Sequence, residues 1–324
     1  MTSAGENSLT GQALTELVAQ RLCAADAAPL VGRYVVEAII GEGGSGRVLR
    51  GRHAMLGFPL ALKMLSHAHA GSPEATRAFI REASVLVQLD HPGIVRVLDA
   101  FEAHGTFFIV MPWLAGATLR VHIDAGLPFG ADEIMQMAEE ALDALVAMHG
   151  AGLVHRDVKP SNILIRPSGR LVLIDFGIAC QRDVPVMEGE RKFVGSPSYA
   201  SPEQILGRPL DGRSDVYSLG CTLYELVFGE PPFGAGDIHG AIERHLHDTP
   251  RFDRVPRVQM GDAFVAWLRS CMSRTRMKRP DAAAARAVLR RIVPPSLDEW
   301  AVPRARVTVP MPVFLGGGQA SGRV

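Results

Sequence analysis

The chain has 324 residues, 47% of them hydrophobic, enough to bury one large core or two medium lobes. Lys+Arg and Asp+Glu both number 34, so the formal net charge is zero; this argues against electrostatic capture of nucleic acid or of an anionic membrane and favours a protein or small-molecule partner. Cys23, Cys180, Cys221 and Cys271 form no CxxC pair, which argues against a zinc site or a disulfide framework and fits a reducing, cytoplasmic setting.

No apolar window approaches the ~20 residues that span a bilayer. Residues 1–30 interrupt their apolar positions with Glu6, Glu16, Arg21 and Asp26, unlike a secretory signal, so neither a membrane segment nor export is expected. Within that extension Leu9, Ala13, Leu14, Leu17, Val18 and Leu22 recur at helical spacing and predict an amphipathic helix ended by Pro29. Next come short β-rich runs separated by glycines, Tyr34–Ile40, Arg47–Arg52 and Pro59–Leu65, which predict a meander. Ser72 as N-cap with Pro73 at the first helical position opens a helix to about Leu89, and Gly93 to Met111 supplies two more strands. Beyond Trp113 the pattern is helical. Ile134, Met137, Ala141, Leu145 and Met148 line one face of a long helix, Val216–Phe228 is apolar almost all round, and Phe264–Cys271 and Ala282–Ile292 add two more. After Val293, five prolines and three consecutive glycines read as a tail or linker. The expected organisation is therefore an extension (1–30), a β-rich lobe with one main helix (31–113), a mostly helical lobe (114–293) and a tail (294–324), α+β in class.

Gly41-Glu42-Gly43-Gly44-Ser45-Gly46-Arg47-Val48 fits GxGxxGxV, in which missing side chains let backbone N–H groups approach phosphate oxygens. A dinucleotide-binding turn would open a helix at the third glycine, whereas a β-like stretch follows Gly46 here, so a hairpin is expected. Lysine occurs only at 63, 159, 192 and 278. Lys63 stands in an apolar strand, where an unpaired ammonium is costly; Glu82 on the following helix can serve as the partner that aims it at phosphates, the alternative being a solvated glutamate on the helix surface. His245-Leu246-His247-Asp248 alternates around a helix and reads as surface, not as a metal site.

The most specific signal is His155-Arg156-Asp157-Val158-Lys159-Pro160-Ser161-Asn162 followed by Asp175-Phe176-Gly177. With the glycine loop, lysine and helix glutamate in order, the stretch from about Gly32 to Val293 resembles the Hanks-type (eukaryotic-like) serine/threonine protein kinases, in particular the bacterial members. The resemblance implies a two-lobed kinase fold and transfer of the γ-phosphoryl group of ATP, carried with Mg2+ or alternatively Mn2+, to a protein hydroxyl. It implies that Asp157 accepts the hydroxyl proton, that Lys159 sits near the γ-phosphate, and that Asn162 and Asp175 supply oxygens to the metal. It implies a nucleotide pocket of Ile40, Gly41, Gly43, Gly44, Gly46, Val48, Ala61, Lys63, Met111, Pro112, Leu114 and Leu164. His155 would be structural, packing on Phe176. The segment Gly195–Glu203 resembles the peptide-docking loop, Asp215 looks like the aspartate that holds the catalytic-loop backbone, and Arg279 looks like the partner of Glu203.

Three departures stand out. Pro112 occupies a hinge position where glutamate is common, but it keeps the carbonyl that the family offers to adenine. Ser196 replaces a threonine and keeps the hydroxyl. Between Ile178 and Val194 there is no serine, threonine or tyrosine, while Glu188 and Glu190 fall where related bacterial kinases carry phosphorylated threonines. These two are either partial phosphate mimics facing Arg156 or a solvated acidic stretch. A nucleotide-binding pseudokinase scaffold and a small-molecule kinase are the competing readings, and homodimerisation is left open.

Overall fold

The computed structural model describes residues 30–43, 46–65, 73–175, 180–181, 196–234 and 237–292. The expected N-terminal helix, the tail, Gly44, Phe176, Gly177, Glu188 and Glu190 lie outside the described residues. The chain divides into two compact units, which in described residues are 30–90 with 95–115, and 91–94 with 116–292.

The first unit is a six-stranded antiparallel sheet. Its strands are β1 (Leu30–Val31), β2 (Tyr34–Gly43), β3 (Gly46–His53), β4 (Pro59–Leu65), β5 (Asp99–Ala103) and β6 (Thr106–Pro112), in the order β1-β2-β3-β4-β6-β5. Side chains alternate along each strand. One set, including Leu49, Leu60, Leu62, Met64, Phe108 and Val110, forms the core with Val31, Tyr34 and Val36. β2 and β3 run further than their apolar residues suggest, because the ladder continues through Gly41↔Val48, Glu42↔Arg47 and Gly43↔Gly46 and Arg47 reaches back to Glu42 at 2.6 Å.

Helix α1 (Pro73–Leu86) buries Phe79, Ala83 and Leu86 at helical spacing. It stops three residues short of the expected Leu89, whose N–H instead closes a turn on the Leu86 carbonyl at 3.1 Å. Pro92 disfavours helical backbone at His91 and so bars any later continuation; the His91 ring accepts the Gly93 N–H at 3.1 Å. Residues 91–94, expected in the β-rich lobe, group with the second unit. The Leu173 N–H bonds the Gly93 carbonyl at 2.8 Å, Ile94 bridges Leu173, and His91 Nε2 lies 3.2 Å from Asp143.

The second unit is mostly helical: α2 (Leu119–Asp124), α3 (Ala131–Gly150), α4 (Pro202–Ile205), α5 (Gly212–Phe228), α6 (Ile238–His247), α7 (Asp262–Cys271) and α8 (Ala282–Leu289). Short strands β7 (Ala117–Thr118), β9 (Ile163–Ile165) and β10 (Leu171–Leu173) form one small sheet, and β8 (Leu153–Val154) pairs with β11 (Cys180–Gln181). Every residue of α5 from Ser214 to Phe228 is buried, as its nearly uniform apolar character requires. Asp211 caps its N-terminus by accepting the Arg213 N–H, and Gly229, at φ 85°, ends it in the left-handed region that glycine enters freely. The class is α+β, as expected: a β-rich sheet with one helix in the first unit and a mostly helical second unit. Among the described residues no helix is long and apolar enough to cross a membrane.

Candidate active site

β8 delivers the chain into the loop 155–162, and a 3-10 turn at Pro160–Asn162 returns it to β9. This loop is held from below by Asp215 in the first turn of α5, which is fully buried. Its two oxygens accept the N–H groups of His155 at 2.9 Å and Arg156 at 2.8 Å, and His149 Nε2 lies 2.8 Å from Oδ2. Burial alone would raise the Asp215 pKa, but the hydrogen bond and charge of His149 and the approach of His155 outweigh it, and the carboxyl is held below its ordinary value. Arg156 needs this support, because its φ of 68° lies in the left-handed region that non-glycine residues avoid. Gln204 on α4 adds a second brace, donating to the Arg156 carbonyl at 2.7 Å. The His155 imidazole is wholly buried, and desolvation lowers its pKa against the pull of Asp215, Asp157 and Asp175, so it stands neutral beneath the loop.

At the loop's mouth Asp157 Oδ2 is 2.7 Å from Lys159 Nζ and 3.0 Å from Asn162 Nδ2, which also donates to the Asp157 carbonyl at 2.9 Å. Lys159 Nζ also donates to Ser196 Oγ at 2.7 Å, joining the loop to the segment after residue 195. The Ile174 N–H bonds the Asn162 carbonyl at 2.9 Å, which brings the next residue, Asp175, to the same place, again with a left-handed φ of 61°. The donors fit a hard divalent cation: Asp175 offers a carboxylate, and Asn162, its amide N–H groups committed to Asp157, has its side-chain oxygen to give. Asp157, Lys159, Asn162, Asp175 and Ser196 are therefore one constellation.

The segment 196–203 is anchored twice. Arg279 meets Glu203 with both terminal nitrogens at 2.6 Å, while Ser214 Oγ donates to Glu203 at 2.7 Å. Burial pushes Glu203 up, yet these bonds hold it below the ordinary carboxyl value. The Tyr199 hydroxyl donates to buried Glu225 at 2.6 Å, and Glu225 also receives Arg120 at 2.9 Å. His149, Gln204 and the Tyr199–Glu225–Arg120 group are absent from the sequence reading. His149 carries a readable signal, six residues ahead of His155 at the end of an amphipathic helix; the others depend on long-range packing. His245, expected at the surface, is a correction: it is wholly buried, with Nδ1 2.9 Å from the Tyr217 hydroxyl, while His247 faces solvent.

In the first unit, register sets the remaining residues. Lys63 pairs with Val48 on one side and Ile109 on the other, Ala61 pairs with Met111, and Gly41 pairs with Val48. Paired residues and those two apart share a face, so Val48, Ala61, Lys63 and Met111 stand together on the face opposite the core set. Lys63 is only 6% exposed. Ile40 and Gly46 lie in β2 and β3. Pro112 ends β6 opposite Leu60 and beyond the last β5 pair, Asp99↔Val110, so its missing N–H breaks no bond on that side. Leu114 follows half-exposed, and the neighbouring Trp113 lies under Arg50 at 5.1 Å. Glu82 lies on α1 with its side chain outside the described residues, and Leu164 is fully buried on β9 of the second unit.

The chain matches the family described as Protein kinase domain over residues 34–289. It is similar to the serine/threonine-protein kinase pkn3 of Myxococcus xanthus, 35% identical over 264 residues, covering 78% of this chain and 48% of that protein. It is also similar to PkaA of Streptomyces coelicolor, 37% identical over 237 residues and covering 69% and 44%. A third relative, PknB of Mycobacterium leprae, is 38% identical over 228 residues, covering 68% and 36%. The chain thus spans less than half the length of each of these three relatives.

Proposed function

Since the chain belongs to the protein kinase family, in its bacterial Hanks-type branch, we propose that it transfers the γ-phosphoryl group of Mg-ATP to serine or threonine hydroxyls of a protein. The observation that carries this reading is the convergence of Lys159 and Asn162 on one oxygen of Asp157, with Asp175 delivered beside them. Phosphoryl transfer passes through a loose transition state, so the protein's work is to position the partners and stabilise charge. When bound, Mg-ATP supplies an electrophilic phosphorus and a leaving group whose charge is neutralised. Asp157 orients the acceptor hydroxyl and takes its proton. Lys159, held between Asp157 and Ser196, keeps one positive charge beside the reacting oxygens. Asn162 and Asp175 would hold the cation, Lys63 with Glu82 would steady the phosphates, and the carbonyl of Pro112 and the N–H of Leu114 would receive adenine.

A protein acceptor is favoured by the doubly anchored segment 196–203, which offers a fixed backbone for a peptide. Serine or threonine is favoured by the run Asp157-x-Lys159-Pro160-x-Asn162, which resembles that of the serine/threonine members.

The test is transfer from radiolabelled ATP to a basic protein acceptor. Asp157→Asn is expected to reduce turnover by roughly 10²–10⁴-fold, the usual worth of a positioned acid–base group, with nucleotide affinity retained. Wild-type protein that binds nucleotide but transfers nothing would be a scaffold, and one that ignores protein acceptors would act on a small molecule.

For regulation, the stretch 178–194 holds no hydroxyl to phosphorylate, and Glu188 and Glu190 stand in for that charge against Arg156. Supporting this, Arg156 Nε is buried without a hydrogen-bond partner among the described residues. A carboxylate carries one charge against ~1.5–2 for a phosphate, so the mimicry is partial. Changing both glutamates to glutamine is expected to lower peptide turnover severalfold; unaltered turnover removes the idea.

A further inference from the structure

We propose that a groove on the helical unit docks an acidic segment of a partner protein, one in which a bulky apolar side chain sits beside two or more carboxylates. The groove has a volume of about 610 Å³ and lies between α4 with the loop that follows it, the last turn of α6, and the turn at 274–277. That volume is in the range that takes several side chains. None of Asp157, Lys159, Asn162 or Asp175 lines it.

Two properties of the walls define the occupant. The apolar part is contributed by Pro202, Leu206, Leu246 and Met277, of which Leu206 is 44% and Met277 71% exposed. Adjacent apolar side chains left this open in a groove mark a binding surface more often than scattered exposure does. The charged part is contributed by Arg208, Arg274 and Arg276. The single carboxylate in the lining, Glu203, is already matched by Arg279 at 2.6 Å and offers these arginines nothing.

Two of these arginines are also held in place by backbone carbonyls. Arg274 donates to the Leu246 and His247 carbonyls at 3.2 and 2.5 Å, and Arg276 donates to the Pro209 carbonyl at 2.6 Å. The carboxylate contact to Arg276, from Asp211 at 3.8 Å, is long. Guanidinium groups positioned in advance lose little freedom when they take up a carboxylate. A purely anionic ligand would leave the apolar wall wet, and a purely apolar one would desolvate three guanidinium groups, of which Arg276 alone has a carboxylate, Asp211, at 3.8 Å. A segment carrying both satisfies both.

The groove adjoins the docking segment, because Pro202 and Glu203 belong to each. Occupancy would therefore tether an acceptor protein beside the transfer site. The tethering role rests on the kinase reading, whereas the binding itself does not.

The experiment uses the full chain and a fluorescein-labelled peptide, Gly-Phe-Glu-Asp-Ile-Glu-Gly, a sequence the chain itself does not contain, followed by anisotropy. Binding is expected, at least tenfold weaker for the version with Asn and Gln in place of Asp and Glu, and weaker at high salt. R208E and M277E both alter exposed side chains and so leave the fold intact, and each is expected to weaken binding about five- to tenfold. Joining this peptide to a serine acceptor is expected to lower its KM with kcat unchanged, a gain lost in both variants. The proposal is overturned if the peptide fails to bind, if the Asn/Gln version binds equally, or if neither substitution has an effect. It is also overturned if inorganic phosphate displaces the peptide as well as the unlabelled peptide does, or if the groove proves to be closed by a second copy of the chain. Peptide binding without phosphoryl transfer would leave the docking site standing and remove the kinase reading instead.

Discussion

His245 lies on α6 with its Nδ1 2.9 Å from the Tyr217 hydroxyl and its ring 4.5 Å from that of Phe233. Burial, the largest influence, pushes its pKa down from 6.5 to about 4, against an opposing contribution from the backbone of Ser198. The folded state thus binds this proton less readily than the unfolded chain. The stabilisation is complete above pH 6.5 and is lost progressively as pH falls toward 4. At about 1.4 kcal/mol per pH unit, this residue alone removes about 2 kcal/mol by pH 5. Urea unfolding at pH 7 and pH 5 should show a smaller drop for His245→Gln than for wild type. Some drop should remain, because His155 is shifted in the same direction. Identical drops in the two proteins would sink the assignment. The sequence did not reveal this burial: alternation puts His245 and His247 on different sides of α6, but which side faces Tyr217 is decided by packing. Asp157, Lys159, Asn162 and Asp175 were legible as candidates only together, because their motifs coincide in order with those of a family the chain resembles; singly, an aspartate in a loop is ordinarily solvated and an asparagine caps a turn.

Between elements, the Glu203–Arg279 pair ties α4 to the turn before α8, and both side chains are almost wholly buried. Arg279 also donates to the carbonyls of Ser273 and Arg213 and lies over the Tyr217 ring at 4.9 Å. Removing one partner of such a pair leaves an uncompensated buried charge, which costs roughly 3–5 kcal/mol. Arg279→Met should therefore destabilise the protein by about that much, read from denaturant midpoints, and Glu203→Gln in the same chain should recover part of the loss because no bare charge remains. A double variant less stable than Arg279→Met would contradict this account. Most element positions were readable from apolar periodicity, with errors at the ends. α1 ends at Leu86 in a turn closed by the Leu89 N–H, β2 and β3 are extended by glycines that a side-chain pattern does not score, and the two-residue strands β8 and β11 are too short to carry any pattern.

Across the molecule, burial is distributed unevenly. Ser214 to Phe228 of α5 are buried all round, whereas α1 buries Phe79, Ala83 and Leu86 and exposes Arg77, Ile80 and Ser84. Helices packed on one face open locally at lower free energy than helices enclosed on every side. Each 1.4 kcal/mol of difference in opening free energy is tenfold in exchange, so a gap of ~3 kcal/mol makes amides at 216–228 exchange at least ~100-fold more slowly than those at 79–86. Hydrogen-exchange mass spectrometry on the full chain measures this directly. Such a gap would bear on function, because α1 carries Glu82, the proposed partner of Lys63. A helix that opens locally while α5 stays closed allows that ion pair to form and break without disturbing Asp215 and the loop it holds. Addition of Mg-ATP should accordingly slow exchange in α1 and leave α5 unchanged. Equal protection of the two helices in the free protein would place α1 in the rigid part of the molecule and remove this route to regulation.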